Sequence, residues 1–212
     1  MRLETRPLAP EPFTAPASPE RIAKVAEALA RHNIEAVVVA TGAEARERVL
    51  AMLPEGAEVH WGTSRTLDDI GLTSELLAEG RYDALRPRQL AMDRATQGRE
   101  IRKLVSAPDF MLGSVQAITD AGELVVVSYS ASQIGPYASG AGRVILVVGS
   151  QKIVADVDEG LRRARERVLP YEDERLRERL GVPTKLAKML VVYEEARAGR
   201  MTVILVAEPV GV

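Results

Sequence analysis

The stretch from Ile34 to Ala40 is apolar at nearly every position and bounded by turn residues. A strand wetted on one face alternates apolar and polar residues, whereas a strand buried on both faces does not. The run therefore reads as a buried strand, and its surroundings suit a parallel sheet. Ser18 and Pro19 form an N-cap and first-turn pair, and Ile22, Val25, Ala26 and Leu29 follow at helical spacing. This predicts a helix over 19–32, stopped at Asn33 in a left-handed conformation. Thr41 and Glu44 have capping-box spacing for a helix to about Leu53, and Glu58 to Trp61 forms the next short strand. Strand, helix and strand in this rhythm predict an α/β fold, a three-layer arrangement around a mainly parallel sheet.

Helical signals continue through 65–104, broken near Gly71, Gly80 and Pro87, with Arg99, Arg102 and Lys103 near the end of the last helix. The second half adds strands at Met111 to Ile118, Leu124 to Ser128 and Val144 to Val148, with some antiparallel pairing expected. A helix over 156–168 and a second charged helix to Leu180 come next, the latter stopped at Gly181 and Pro183. Alternating charge from Arg162 to Arg179 reads as solvated helix surface. Leu190 to Tyr193 and Met201 to Ala207 close the chain as strands joined across Gly199. Residues 1–18 hold Pro7, Pro10, Pro12 and Pro16, which block helix and central strand, so they form an extended arm before one domain over 19–212.

Composition narrows the function classes. Hydrophobic residues make up 46% and charged residues 27% of 212 residues, as in a globular domain, and aromatic content of 4% leaves aliphatic side chains to fill the core. A net charge of −2 with interspersed signs argues against nucleic acid or an anionic membrane as the main partner. No cysteine is present, so the chain has no thiolate for a disulfide, a nucleophile, an iron–sulfur cluster or a zinc site. His32 and His60 lie far apart, so no metal site is expected, and no cofactor is implied. The N-terminus lacks a basic segment before an apolar run, and no uncharged stretch reaches the roughly 20 residues of a membrane helix. A cytoplasmic location is the expectation.

Four segments offer chemistry. Gly62, Thr63, Ser64 and Arg65 follow a strand and open a helix, where free N–H groups and a guanidinium attract phosphate or carboxylate. The plainer reading is that Ser64 or Thr66 only caps that helix. Gly113 and Ser114 begin the second segment, which leads through Asp120-Ala121-Gly122, a hairpin turn, to Glu123. A carboxylate beside buried strands acts as base or nucleophile when its proton affinity is raised; otherwise Asp120 and Glu123 are solvated turn residues. The third segment, Ser128 to Arg143, is rich in hydroxyls and glycine, with Ser128, Ser132, Gln133, Gly135, Gly140 and Gly142 as candidate ligand contacts. It lacks both the Gly-Lys-Ser/Thr ending of a phosphate loop and a G-x-G-x-x-G fingerprint, and a surface connection is its plain alternative. Last, Lys152 follows the strand ending at Val148 and could neutralise an anion, or could be an ordinary surface lysine. His60, in a short strand, reads equally well as a packed side chain.

Several of these segments resemble one family. Trp61-Gly62-Thr63-Ser64 with Thr66-Leu67-Asp68 and Ile70-Gly71-Leu72 is similar to a "GS-x-TLxEIG" stretch of the LUD (lactate-utilisation, LutC/YkgG-like) family. Gly113-Ser114, Ala117-Ile118-Thr119 and Gly122-Glu123-Leu124-Val125 resemble its "G-x-x-AIxExGTLV" segment. Gly149 to Val154 and Val203 to Gly211 match further landmarks, so the resemblance spans roughly 20–212. It implies a fold of the NagB/RpiA/CoA-transferase-like type, shared with 5-formyltetrahydrofolate cyclo-ligase, and a role in lactate oxidation beside iron–sulfur partner proteins. The family's Glu-x-Gly-Thr is replaced by Asp120-Ala121-Gly122-Glu123, which shifts the acid. The Ser128–Arg143 loop resembles a single-domain branch more than the lactate-operon members.

Three functions follow as expectations. The first is a non-redox component of lactate or related organic-acid metabolism, binding a small anionic metabolite or a cysteine-rich iron–sulfur partner through 62–66, 113–114 and 128–142. The second is a free-standing enzyme on a phosphorylated, CoA-linked or folate-like substrate, with Glu123 as nucleophile or base and Gly62 to Arg65 and Lys152 holding the anion. The third is an assembly subunit without a ligand, using the proline-rich arm. A homo-oligomer is compatible with each.

Overall fold

Both faces of the central strands carry apolar side chains, and both faces are covered. The computed structural model describes residues 12–78 and 80–212. Its helices are α1 (Pro19–Arg31), α2 (Gly42–Met52), α3 (Arg65–Asp69), α4 (Leu72–Leu76), α5 (Leu85–Ala91), α6 (Gly98–Ser106), α7 (Val157–Arg163) and α8 (Leu169–Leu180). The strands are β1 (Glu35–Val39), β2 (Glu58–Trp61), β3 (Asp83–Ala84), β4 (Phe110–Gly113), β5 (Ala117–Thr119), β6 (Leu124–Ser128), β7 (Arg143–Gly149), β8 (Ile153–Val154), β9 (Lys188–Val192) and β10 (Met201–Val206). Six of them form a parallel sheet in the order β1-β10-β7-β4-β2-β3, and four form a mixed sheet in the order β8-β5-β6-β9.

Alternation along β7 and β10 shows why these strands are apolar throughout. Val144, Leu146, Val148, Val203 and Leu205 face α1 and the smaller sheet, while Ile145, Val147, Ile204 and Val206 face α2, α3 and α4. The result is a three-layer α/β fold, with α7 packed on the outer side of the small sheet through Val157 and Leu161.

Local signals act as expected at several ends. Ser18 accepts a hydrogen bond from Arg21 N–H, Thr41 accepts from Glu44 N–H, and Asn33 has φ 57°. Other expectations are corrected. The Ile34–Ala40 run is an edge strand, not a fully buried one: among the described residues β1 pairs only with β10, and Val38 is 51% exposed. Met111 to Ile118 is two strands in two sheets, because the chain leaves the large sheet after Gly113 and enters the small one at Ala117. Pro87 does not break a helix; it sits in the first turn of α5, where its missing N–H has no helical partner to lose. Arg99 opens α6 and does not lie near its end. β9 and β10 likewise belong to different sheets.

The two charged helices are one continuous path, since a π-helical turn at Ala164–Val168 joins α7 to α8. Within it, Arg163 is fully buried, so the Arg162–Arg179 face is not solvated throughout. The arm's Pro7 and Pro10 lie outside the described residues. Its described part rests on the domain: Phe13 packs beside Val157 and Leu161, and Ala17 N–H donates to Ser150 Oγ at 3.2 Å.

Candidate functional site

The chain changes direction in the large sheet between β2 and β4. From β2 it moves outward to the edge strand β3, whereas from β4 it leaves for β5 and β6 of the small sheet and re-enters the large sheet at β7. The segments that follow β2 and β4 meet at the carboxyl ends of the strands, the place where open parallel sheets collect ligands, with Thr66 Oγ1 donating to Ser114 Oγ at 3.3 Å. At that end Lys152, which follows β7 in a short 3-10 turn, is buried at 3% exposure. Its Nζ donates to Thr66 Oγ1 at 2.7 Å and to Ser114 Oγ at 3.0 Å. Thr66 lies in α3 and Ser114 directly after β4, so three chain segments meet on one ammonium.

Burial strips water from Lys152, and the Arg163 charge adds repulsion, which together push its pKa down to about 7 against a partial pull from Asp69. Among the described residues no carboxylate forms a salt bridge with it. Asp69 is engaged elsewhere, with Arg65 Nε at 2.6 Å and with Gly211 N–H at 3.1 Å.

The surrounding residues hold this geometry. Arg86 of α5 donates to Trp61 O at 2.9 Å and to Thr63 Oγ1 at 2.9 Å, fixing the β2–α3 loop. Ser64 Oγ accepts from Leu67 N–H at 3.4 Å, so it caps α3, as the plain reading of that loop had it. Gly113 has a steric reason to lack a side chain: a Cβ there would collide with the Tyr137 hydroxyl, which donates to Ser114 O at 3.5 Å. Burial pushes the Tyr137 hydroxyl pKa up, so it stays a neutral donor.

A covering segment completes the site. Gln151 Nε2 donates to Val210 O at 2.9 Å, and Ser150 Oγ donates to Ala207 O at 2.5 Å. Gly211, at φ 75°, is held so close that a Cβ would collide with Thr66 Oγ1 and fall 3.0 Å from Lys152 Nζ. Residues 207–211 thus lie over the lysine, while Ala17 of the arm reaches the same Ser150 turn.

The sequence candidates divide by position. Gly62, Thr63, Ser64, Gly113, Ser114 and Lys152 stand at the carboxyl ends of β2, β4 and β7. Gln133 lies beside them, its Cβ 4.0 Å from where a Cβ at Gly62 would stand, and it accepts from Ser128 Oγ at 3.1 Å and Ser132 Oγ at 3.4 Å. Arg65 turns to Asp69 and is about half exposed. Gly135 precedes a π-helical turn, Pro136–Gly140, that carries the chain down the sheet. Gly140 and Gly142 end near the opposite edge, against Ser106 O and Asp109 O. Glu123 stays in the β5–β6 turn, where the Thr119 hydroxyl donates to its carboxylate. That turn lies against α1, with Asp120 bonded to Arg21 at 2.6 Å and Gly122 against Ala28 and Leu29. His60 is buried, its pKa lowered to about 4 by burial and by Arg86, and its Nδ1 has no partner among the described residues.

Sequence reasoning placed Thr66 within the 62–66 binding loop and singled it out only as a cap, and it read Arg163 as solvent-facing. Arg163 Nη1 donates to Gln116 O at 2.5 Å, while Nε and Nη2 are buried without a partner. Its signal was available in the small and apolar stripe Val157, Gly160, Leu161, Ala164 and Val168, which Arg163 flanks. Among the described residues no cluster of three or more His, Cys, Asp or Glu could hold a metal ion, and no helix is long and apolar enough to cross a membrane.

A DUF162 family protein from Deinococcus radiodurans, solved by crystallography, superposes with a TM-score of 0.49 at 15% identity, over 90% of this chain and 99% of that one. No curated protein matches. The LUD domain model matches residues 22–206, a span that includes Thr66, Ser114, Lys152 and Arg163. By that match, the chain belongs to the LUD domain family.

Proposed function

We propose that this chain binds a small anionic metabolite, an organic acid of the lactate or pyruvate kind, at Lys152, and serves as a non-redox component of organic-acid metabolism. The observation that carries this reading is the buried ammonium held by two hydroxyls with no carboxylate salt bridge among the described residues. An uncompensated buried cation is costly, and an arriving carboxylate supplies the missing charge. Cysteine-rich iron–sulfur proteins would be its redox partners, since this sequence has no cysteine. The reading in which Glu123 acts as nucleophile or base draws less support, because Glu123 is bonded within its own hairpin turn.

Thermal-shift measurements against lactate, pyruvate, sugar phosphates, folates, CoA and adenine nucleotides test the proposal. A ligand at 100 times its dissociation constant adds about 2.7 kcal/mol, roughly 5–10 °C in midpoint for a domain of this size. The shift is expected with a small carboxylate, to be lost in Lys152→Met, and to weaken above about pH 7 as the free lysine loses its proton. Silence across the panel sinks the proposal and leaves partner assembly as the better reading.

A further inference from the structure

Among the described residues two arginines are buried, and their hydrogen bonding differs. Every guanidinium nitrogen of Arg200 is engaged: Nε donates to Ala141 O, Nη2 to Pro136 O and Tyr137 O, and Nη1 pairs with Glu195. Arg163 is more deeply buried, at 0% exposure, yet only Nη1 is used. The idle atoms, Nε and Nη2, form one edge of the guanidinium, and that edge presents two parallel N–H donors. A carboxylate or phosphate accepts from such an edge with two oxygens at once.

Arg163 is also tied to the Lys152 site. Lys152 donates to the Ser114 hydroxyl, and Arg163 donates to the Gln116 carbonyl, at the two ends of the three-residue crossing between the sheets. Two residues of extended chain span at most about 7 Å. Two buried cations so placed repel each other, and among the described residues neither forms a salt bridge. A ligand with one anionic group satisfies only one of them.

We infer that Lys152 and Arg163 form two subsites for a single small dianion, one anionic group on the ammonium and the other bidentate on the open Nε/Nη2 edge of Arg163. This deepens the anion-binding reading and rests on it. The ligand class is a dicarboxylate, or an organic acid carrying a phosphate, with its charges a few bonds apart. Both cations are covered in the closed arrangement, so entry requires a covering segment to lift.

The experiment compares mono- and dianions of matched length on the purified chain at fixed ionic strength, by calorimetry and thermal shift. Acetate, propionate and butyrate are set against malonate, succinate and phosphoglycolate, with inorganic phosphate alongside. Dianions are expected to bind at least tenfold tighter than their monoanionic counterparts. Succinate against phosphoglycolate decides whether the second group is carboxylate or phosphate. In Arg163→Met the tenfold advantage should collapse, while the ligand-free midpoint does not fall, because an uncompensated buried charge has been removed. Equal binding of mono- and dianions by the unmodified chain overturns the inference while leaving the Lys152 reading intact. A fallen midpoint in Arg163→Met with the dianion preference retained also overturns it, since Arg163 would then be purely structural. Binding of no anion at all overturns both. Should Arg163→Met fail to fold, the comparison in the unmodified chain still decides.

Discussion

Lys152 makes the energetics of this site measurable without a ligand. Folding moves its amine from water, where its pKa is 10.5, into protein, where burial and Arg163 lower it to about 7. Between those values the unfolded chain holds a proton that the folded chain does not, so raising the pH favours the folded state. Below about pH 7 both states are protonated and the penalty for the buried charge is complete. Stability should therefore rise by up to about 1.4 kcal/mol per pH unit above pH 7, and this component should vanish in Lys152→Met. That variant should also be more stable at pH 6, by roughly 1–4 kcal/mol. Urea unfolding of both proteins from pH 6 to 9 checks this, and parallel pH profiles would contradict it. The sequence marked Lys152 because it closely follows a strand end, a position open to ligands in parallel sheets. For Arg163 the only mark was the small and apolar stripe it flanks, because charge alternation along α7 looks the same whether one arginine points inward or all point out.

Elements show the same division between local chemistry and packing. Ser18, Thr41 and Asp156 cap their helices with side-chain oxygens that each accept from an N–H three residues on, a relation written locally in the chain. The break between β4 and β5 has no comparable local signal, since Met111 to Ile118 reads as a continuous strand. What separates them is the second sheet, which pairs Ile118 with Ile153 of β8 and with Leu124 of β6. At the other end of the large sheet, Arg200 holds the Pro136–Gly140 turn against the start of β10, and that turn delivers Tyr137 to Ser114. Arg200→Met strands the Glu195 carboxylate, 7% exposed, without its charged partner. A loss of roughly 3–5 kcal/mol is expected in equilibrium urea unfolding, opposite in sign to the effect of Lys152→Met at pH 6. A loss below about 1 kcal/mol would show that solvent or rearrangement compensates the carboxylate.

At the scale of the molecule, Lys152 is covered by segments distant in sequence. Residues 207–211 cross Gln151 and Lys152, and the arm reaches Ser150 from the opposite end of the chain. Gly211 permits this closure through its positive φ and through its missing side chain, which leaves room for Thr66. Gly211→Ala should lift the segment, lower stability by roughly 1–2 kcal/mol and admit water to Lys152. Acetic anhydride labelling read by peptide mass should then modify Lys152 faster than in the unmodified chain. Unchanged labelling would mean that other elements, not residues 207–211, keep the amine covered.

The sequence by itself determined the α/β class, most helix boundaries and the group of loops that meet around Lys152. Those features depend on periodicity, caps and turn residues, which act over a few positions. Tertiary structure alone decided that β1 is an edge, that the small sheet stands apart, and that Thr66, Ser114 and Lys152 meet. It also decided which of the arginines in the segment from Arg162 to Arg179 is buried. Each of these depends on what packs against a residue from far along the chain, and solvent exposure is set by that neighbour rather than by the residue itself.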